Sequence, residues 1–162
     1  MTVVVDTNIW IDLHFGGLLA EFLRLPGQVL CPDVIIEELR LPDGRQLVRE
    51  GVREVSLGPD GVRRVGELVE RYPGVQPNDL FALALAAGTK AVLATGNDHL
   101  KRAALAEGVR VRGTLGVLQR LVDEEIITAE RAAAGLEAIL ARGDRWLPAA
   151  ECRRCLERWR GW

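Results

Sequence analysis

The chain is poor in cysteine, histidine, lysine and aromatic residues, and it has no long apolar run. Its three cysteines, Cys31, Cys152 and Cys155, are an odd number, which speaks against a disulfide framework. Cys152 and Cys155 form a CxxC, but a structural zinc site needs four ligands. No second cysteine pair exists, and neither His14 nor His99 is near in sequence. The pair therefore reads as two thiols on a helix surface. No apolar stretch approaches the roughly 20 residues that span a bilayer, and no basic region precedes an apolar segment at the amino terminus. The expectation is a cytoplasmic protein with no membrane association.

What the chain does have is an ordinary globular composition, 48% hydrophobic and 27% charged over 162 residues. That length suits one domain with a sizeable core. The formal net charge is −2, but it is unevenly spread. Residues 1–98 carry 9 basic and 14 acidic side chains, whereas 99–120 carry Lys101, Arg102, Arg110, Arg112 and Arg120 against Glu107 alone. A basic strip after an acidic region fits a phosphate-binding surface beside a metal site, or simply a solvated face.

Short apolar runs alternate with helical patterns. Strands are predicted at Val3–Asp6, Gln28–Cys31, Val52–Leu57, Ala91–Thr95 and Val109–Arg112, with helices near 15–24, 33–40, 60–72, 78–88 and 98–107. Gly/Pro pairs such as Pro26–Gly27, Pro42–Asp43–Gly44 and Pro73–Gly74 punctuate them. Alternating strands and helices imply parallel crossovers and a three-layer α/β/α fold. After Gly113 the pattern is helical: 114–123, 128–141 (Thr128 as N-cap, Gly143 as stop) and 148–159, with Pro148 in a first turn. There is no repeat or linker, so residues 1–162 read as one domain, a 1–113 core with a 114–162 helical extension packed on it. Trp146, Trp159 and Trp162 would dock this tail on the core or form a protein contact.

Four segments place acids where a packed domain has little need of them. In "VVVDTNIWIDL" an apolar strand stops on Asp6, at the carboxyl rim where open parallel sheets bind ligands. In "CPDVIIEELRLP" Asp33 looks like an N-cap. Glu38 follows Val34 by four and Ile35 by three, which puts it in the apolar stripe, while Glu37 falls on the polar side. A buried carboxylate needs a partner, so Glu38 is expected to point at the rim. In "QPNDLFALALAAG" Asp79 is the sole acid of a helix that is apolar nearly all round. In "AVLATGNDHLKRAA" a strand runs through Thr95 to Asn97 and Asp98. Each acid alone also reads as a helix cap or first-turn residue. Together they form a carboxylate cluster, which raises its members' pKa values unless a cation sits among them. Oxygen ligands without Cys or His suit Mg²⁺ or Mn²⁺, and such a site supports phosphoryl transfer to water.

These same stretches, "VVDTNIWIDL", "PDVIIEEL", "DLFALALA" and "VLATGNDHLKRAA", resemble the PIN-domain nucleases, especially the small VapC-type toxins. "GVRVRGTLGVLQRLVDEEIIT" and "LPAAECRRCLERW" resemble the C-terminal half of one subgroup, so the likeness covers nearly the whole chain. It implies a parallel sheet of about five strands in the order 3-2-1-4-5. It also implies metal-dependent endoribonuclease activity leaving 5′-phosphate and 3′-hydroxyl ends, a cognate antitoxin, and a possible homodimer. Carried over by motif, Asp6, Glu38 and Asp79 are catalytic metal ligands, with Asn8 and Thr95 in support. Asn97 stands where many relatives have a fourth acid, so either a second metal binds weakly there or Asp98, one residue on, substitutes as the catalytic and metal-binding acid. Lys101 and Arg102 would bind RNA phosphates. A PIN fold without turnover, acting by RNA or protein binding, is the alternative. A dehalogenase-type phosphatase or receiver domain is disfavoured because position 8 is Asn and no Gly-rich loop follows the first strand.

Overall fold

The computed structural model describes residues 1–145 and 147–161. Five strands form one parallel sheet: β1 (Thr2–Val5), β2 (Gln28–Pro32), β3 (Arg53–Val55), β4 (Val92–Ala94) and β5 (Val111–Arg112). Their order is β3-β2-β1-β4-β5, as the resemblance implied. β1 is central, with Val4 registered against Leu30 and Leu93, and Val5 against Ala94. Val4 and Val5 are both fully buried, which explains why the strand reads as an unbroken β-branched run. From β1 the chain builds outward through β2 and β3 on one side, then crosses back to β4 and β5 on the other. The carboxyl end of β1 is therefore the point where the order reverses and a crevice opens.

Helices complete the layers. α1 (Thr7–Phe15) and α2 (Leu19–Phe22) join β1 to β2, and Trp10 packs edge-on against Phe22 at a centroid separation of 5.7 Å. α3 (Asp33–Glu38) and α4 (Gly44–Arg49) join β2 to β3, and α5 (Pro59–Arg71) and α6 (Pro77–Thr89) join β3 to β4. α6 buries Leu80 and the whole run Ala82–Ala86 because it lies against β1, β2 and β4 on one side and α5 on another. α7 (Asp98–Ala106) leads into β5. No helix of the described residues is long and apolar enough to cross a membrane.

Three helices follow: α8 (Thr114–Asp123), α9 (Ala129–Ala141) and α10 (Ala149–Arg160). α9 packs on α1, α8 and α10, burying Ala132, Ala133, Leu136 and Ile139. Arginines at its ends reach back to α1. Arg131 donates to the Gly17 carbonyl at 2.6 Å, and the Arg142 guanidinium stacks over the Phe15 ring at 3.8 Å. Thr128 caps α9 through a bond from Arg131 N–H, as its position in the sequence suggests.

Several expectations are corrected. The first helix begins at Thr7 rather than near 15, because Asp6 caps it directly and Ile9, Trp10 and Leu13 fill the core. α4 arises where Pro42–Asp43–Gly44 reads as punctuation: Asp43 accepts from Arg45 N–H and starts a helix instead of a bare turn. Asp33 is the first residue of α3, not its cap, and its carboxylate takes Val34 N–H and the Ser56 hydroxyl. Pro148 occupies the N-cap of α10, one place before its first turn. Cys152 and Cys155 are not surface thiols; at i and i+3 they share the buried stripe of α10 with Trp159. Trp159 docks the tail by donating from Nε1 to Gln119 Oε1 of α8 at 2.9 Å. Trp146 and Trp162 lie outside the described residues. Removing the buried indole in Trp159→Ala should cost about 3 kcal/mol or more, read as a lower urea midpoint.

Candidate active site

Asp6 follows the last residue of β1 and caps α1, so its extended backbone (φ −85°, ψ 171°) is set by the strand-to-helix turn. It is 1% exposed. Oδ1 accepts from Ile9 N–H at 3.0 Å and Oδ2 from the Thr95 hydroxyl at 2.5 Å. Thr95, just beyond β4, thus holds Asp6 across the strand pair, while its Oγ1 accepts in turn from Asn97 N–H at 3.0 Å. Burial pushes the Asp6 carboxyl up to about 7 against the pull of these two donors, with repulsion from Asp79 adding to the rise.

A cleft of about 430 Å³ opens at this rim, lined by Thr7, Asn8, Glu38, Gln76, Pro77, Asn78, Asp79 and Asn97. Glu38 stands at its wall, but not for the reason its spacing suggests. α3 is only six residues long and leaves helical geometry at Leu39 (φ −69°, ψ 125°). Glu38 is consequently the exposed last residue of the helix rather than part of a buried stripe; Ile35 and Ile36 fill the core. Its Oε1 accepts from Thr7 Oγ1 at 2.6 Å and its Oε2 from Asn78 Nδ2 at 2.8 Å. Glu37 faces elsewhere, toward Arg45 at 4.0 Å. Asp79 lies half-buried in the first turn of α6, where burial first and the Glu38 charge second push its carboxyl up to about 6.

The β4–α7 turn supplies the other end. Asn97 lines the cleft, but its Oδ1 already accepts from His99 and Leu100 N–H at 2.8 and 3.1 Å as the cap of α7. Asp98 is exposed and borders a second cleft with Lys101, Gly113, Leu147 and Glu151, so it does not join the other three acids. Arg102 is exposed and contacts His99 at 3.2 Å. The basic strip is not one surface. Arg112 and Arg120 border a separate apolar hollow with Met1 and Phe22, and Arg120 pairs with Glu124.

Sequence reading missed Thr7 and Asn78, which hold Glu38, and missed a buried ion pair behind the rim. Asp12, 1% exposed, accepts from Arg145 Nε at 2.6 Å, from Arg145 Nη2 at 2.9 Å and from the Thr114 hydroxyl at 2.7 Å. Asp12 sits one and a half turns along α1 from Asp6, whereas Arg145 comes from the segment between α9 and α10. The guanidinium lies against Gly96: a Cβ there would fall 2.4 Å from Arg145 Nη2 and 3.4 Å from Asn8 Cβ. Only glycine permits that approach. The one sequence signal was an aspartate, Asp12, on the inward face of an apolar helix.

In the conformers present, no three His, Cys, Asp or Glu side chains among the described residues are close enough to enclose an ion. Glu38 is instead held by Thr7 and Asn78. The donor chemistry nevertheless fits a hard divalent cation. Glu38 and Asp79 line the rim cleft with amide oxygens beside them, Asp6 lies buried at the end of β1, and burial together with the neighbouring acid pushes the Asp6 and Asp79 carboxyls up.

A family model described as DUF3368, a PIN domain, matches residues 2–160. Among solved structures, a PilT N-terminus domain protein, SSO1118, from the archaeon Sulfolobus solfataricus P2 is similar at a TM-score of 0.54 and 13% identity. That match covers 76% of this chain and 95% of the archaeal one. VapBC2 from Rickettsia felis, solved bound to a DNA fragment from its promoter, matches at a TM-score of 0.50 and 17% identity, over 70% of this chain and 98% of the other. No curated protein matches in sequence.

An acid whose pKa is raised on folding favours the folded state in its neutral form. That stabilisation is complete below the unfolded value near 4 and is lost as pH rises through about 6 to 7. The thermal midpoint measured in chelator should therefore fall between about pH 5 and pH 8. Asp6→Asn should flatten that fall and raise the midpoint at the alkaline end, and Mn²⁺ should restore wild-type stability there. A flat wild-type profile would refute the assignment of these two groups.

Proposed function

We propose that this chain, which belongs to the PIN-domain family, is a divalent-metal-dependent endoribonuclease acting as the toxin of a toxin–antitoxin pair. The observation that supports the reading is a cleft at the crevice where the strand order reverses, lined by Glu38 and Asp79, with buried Asp6 at the end of β1 within electrostatic reach of Asp79. A metal ion bound there supplies Lewis-acid polarisation of phosphate and makes water a better nucleophile. The protein's own contributions are positional. Thr95 and Ile9 N–H fix Asp6 in one orientation, and Thr7 and Asn78 fix Glu38. Asp79, the least constrained of the three, is free to adjust as ligand or proton acceptor.

Lys101 borders the neighbouring cleft, which shares Asn97 with the acidic one, and an RNA backbone crossing both would meet its ammonium. Such contacts hold phosphates without reading bases, so sequence preference would come from elsewhere on the surface. The Rickettsia felis VapBC2 complex supports a protein partner of antitoxin type for this chain as well.

One observation favours a second reading. The Asn97 amide oxygen is spent on capping α7, so among the described residues the site has three acids and no fourth oxygen ligand left over at that end. A chain of this kind could bind RNA without turnover. Incubation of the purified protein with single-stranded RNA and Mn²⁺ separates the two. The nuclease reading expects internal cuts with 5′-phosphate ends. Asp6→Asn and Asp79→Asn should each lower the rate by more than about a hundredfold, beyond the usual 10–100-fold cost of an outer-sphere residue. Binding with no product under any divalent ion would favour the second reading, and cutting by Asp6→Asn at the wild-type rate would overturn the first.

A further inference from the structure

The end of the cleft formed by the β4–α7 turn differs electrostatically from the Asp79 end. Two metals acting together stand about 3.5–4 Å apart and need a further set of anionic oxygens for the second ion. At this end the described residues offer none beyond Asp6. Asn97 is neutral and its Oδ1 already accepts two backbone N–H groups. Asp98 faces the adjoining cleft, in company with Lys101. Behind the turn stands Arg145, pressed so closely on Gly96 that no side chain fits between them. Asp12 engages its Nε and Nη2, and Thr114 completes the clamp, so the guanidinium cannot swing away. Its Nη2 thus lies against the residue between Thr95 and Asn97 and close to Asn8, and Asn8 and Asn97 both line the cleft.

We infer that this site is built for a single divalent ion, with Arg145 as a positioning residue whose fixed charge keeps a second ion from the Asn97 end. The inference rests on the metal-dependent reading above and deepens it. Asn97 withholds the ligand a second ion would need, and Arg145 makes the same place electrostatically unfavourable. The two features are separable by mutation because Asp can cap a helix as well as Asn.

Ion counting tests this without reference to cleavage. Equilibrium dialysis of the full chain against Mn²⁺ should give one ion per wild-type chain, with the six-line electron paramagnetic resonance spectrum of an isolated Mn²⁺. Asn97→Asp should admit a second, weaker ion. Adding Arg145→Gln together with Asp12→Asn, so that no carboxylate is left uncovered, should tighten the second ion at least about tenfold and produce the spectrum of a spin-coupled pair, whereas adding Arg145→Lys should not. Asp12→Asn alone, which keeps the guanidinium, should leave the second ion as weak as in Asn97→Asp. Two ions on the wild-type chain, or no effect of the Arg145 changes on the second ion, would overturn the inference while leaving metal dependence intact. No bound ion at all on the wild type would instead overturn the metal-dependent reading.

Discussion

The structure turns on a buried carboxylate. Asp6 is sealed at the carboxyl end of the central strand, where an unpartnered negative charge costs several kcal/mol. The fold meets that cost with two hydrogen bonds, one from the first turn of α1 and one from Thr95 beyond β4. The Thr95 bond ties together residues 89 positions apart and fixes how β1 and β4 end relative to one another. Two neutral donors do not fully offset the burial, which is why the carboxyl stays near 7. The remaining deficit leaves the charged form of Asp6 unfavourable unless a positive charge comes near it.

The architecture was largely readable because it follows from local signals that add up. Val3–Val5, Val29–Cys31 and Val92–Ala94 are apolar runs bounded by turn residues, and parallel strands buried on both faces read that way. Thr128 and the apolar faces of α8 and α9 gave their helices directly. What failed was context within a few residues. Asp43 starts a helix where its neighbours read as a loop, and α3 stops at Glu38 because the backbone turns extended at Leu39. A helical wheel drawn through residue 40 therefore chose the right glutamate for the cleft wall by a wrong argument about burial. CxxC misled similarly, since the burial of α10 depends on α8 and α9, which its own sequence does not reveal.

The site was legible where it is made of strand ends and helix starts, and illegible where it depends on distant partners. Asp6, Asp79 and Thr95 lie at boundaries that the pattern marks. Asn78 sits beside Asp79 and reads as a routine first-turn residue until Glu38 is seen to need its amide. Asp98 looked like a fourth acid because a one-residue offset is invisible in sequence, whereas in space it moves the side chain into a different cleft. Arg145 had no signal at all. It belongs to the helical extension, and only the folded arrangement of α1, α8 and α9 brings it to Gly96.

That arrangement has a consequence for how the protein is made. Asp12 and Arg145 are 133 positions apart, and chains emerge from the ribosome amino end first. While the α/β layers are assembling, Asp12 waits without its ion-pair partner, and the wall behind Gly96 is missing. The wall behind the cleft therefore takes its final form only after α1 and all five strands have been made. A chain halted between Arg112, where β5 ends, and Arg145 would hold all five strands yet lack the guanidinium that backs Gly96.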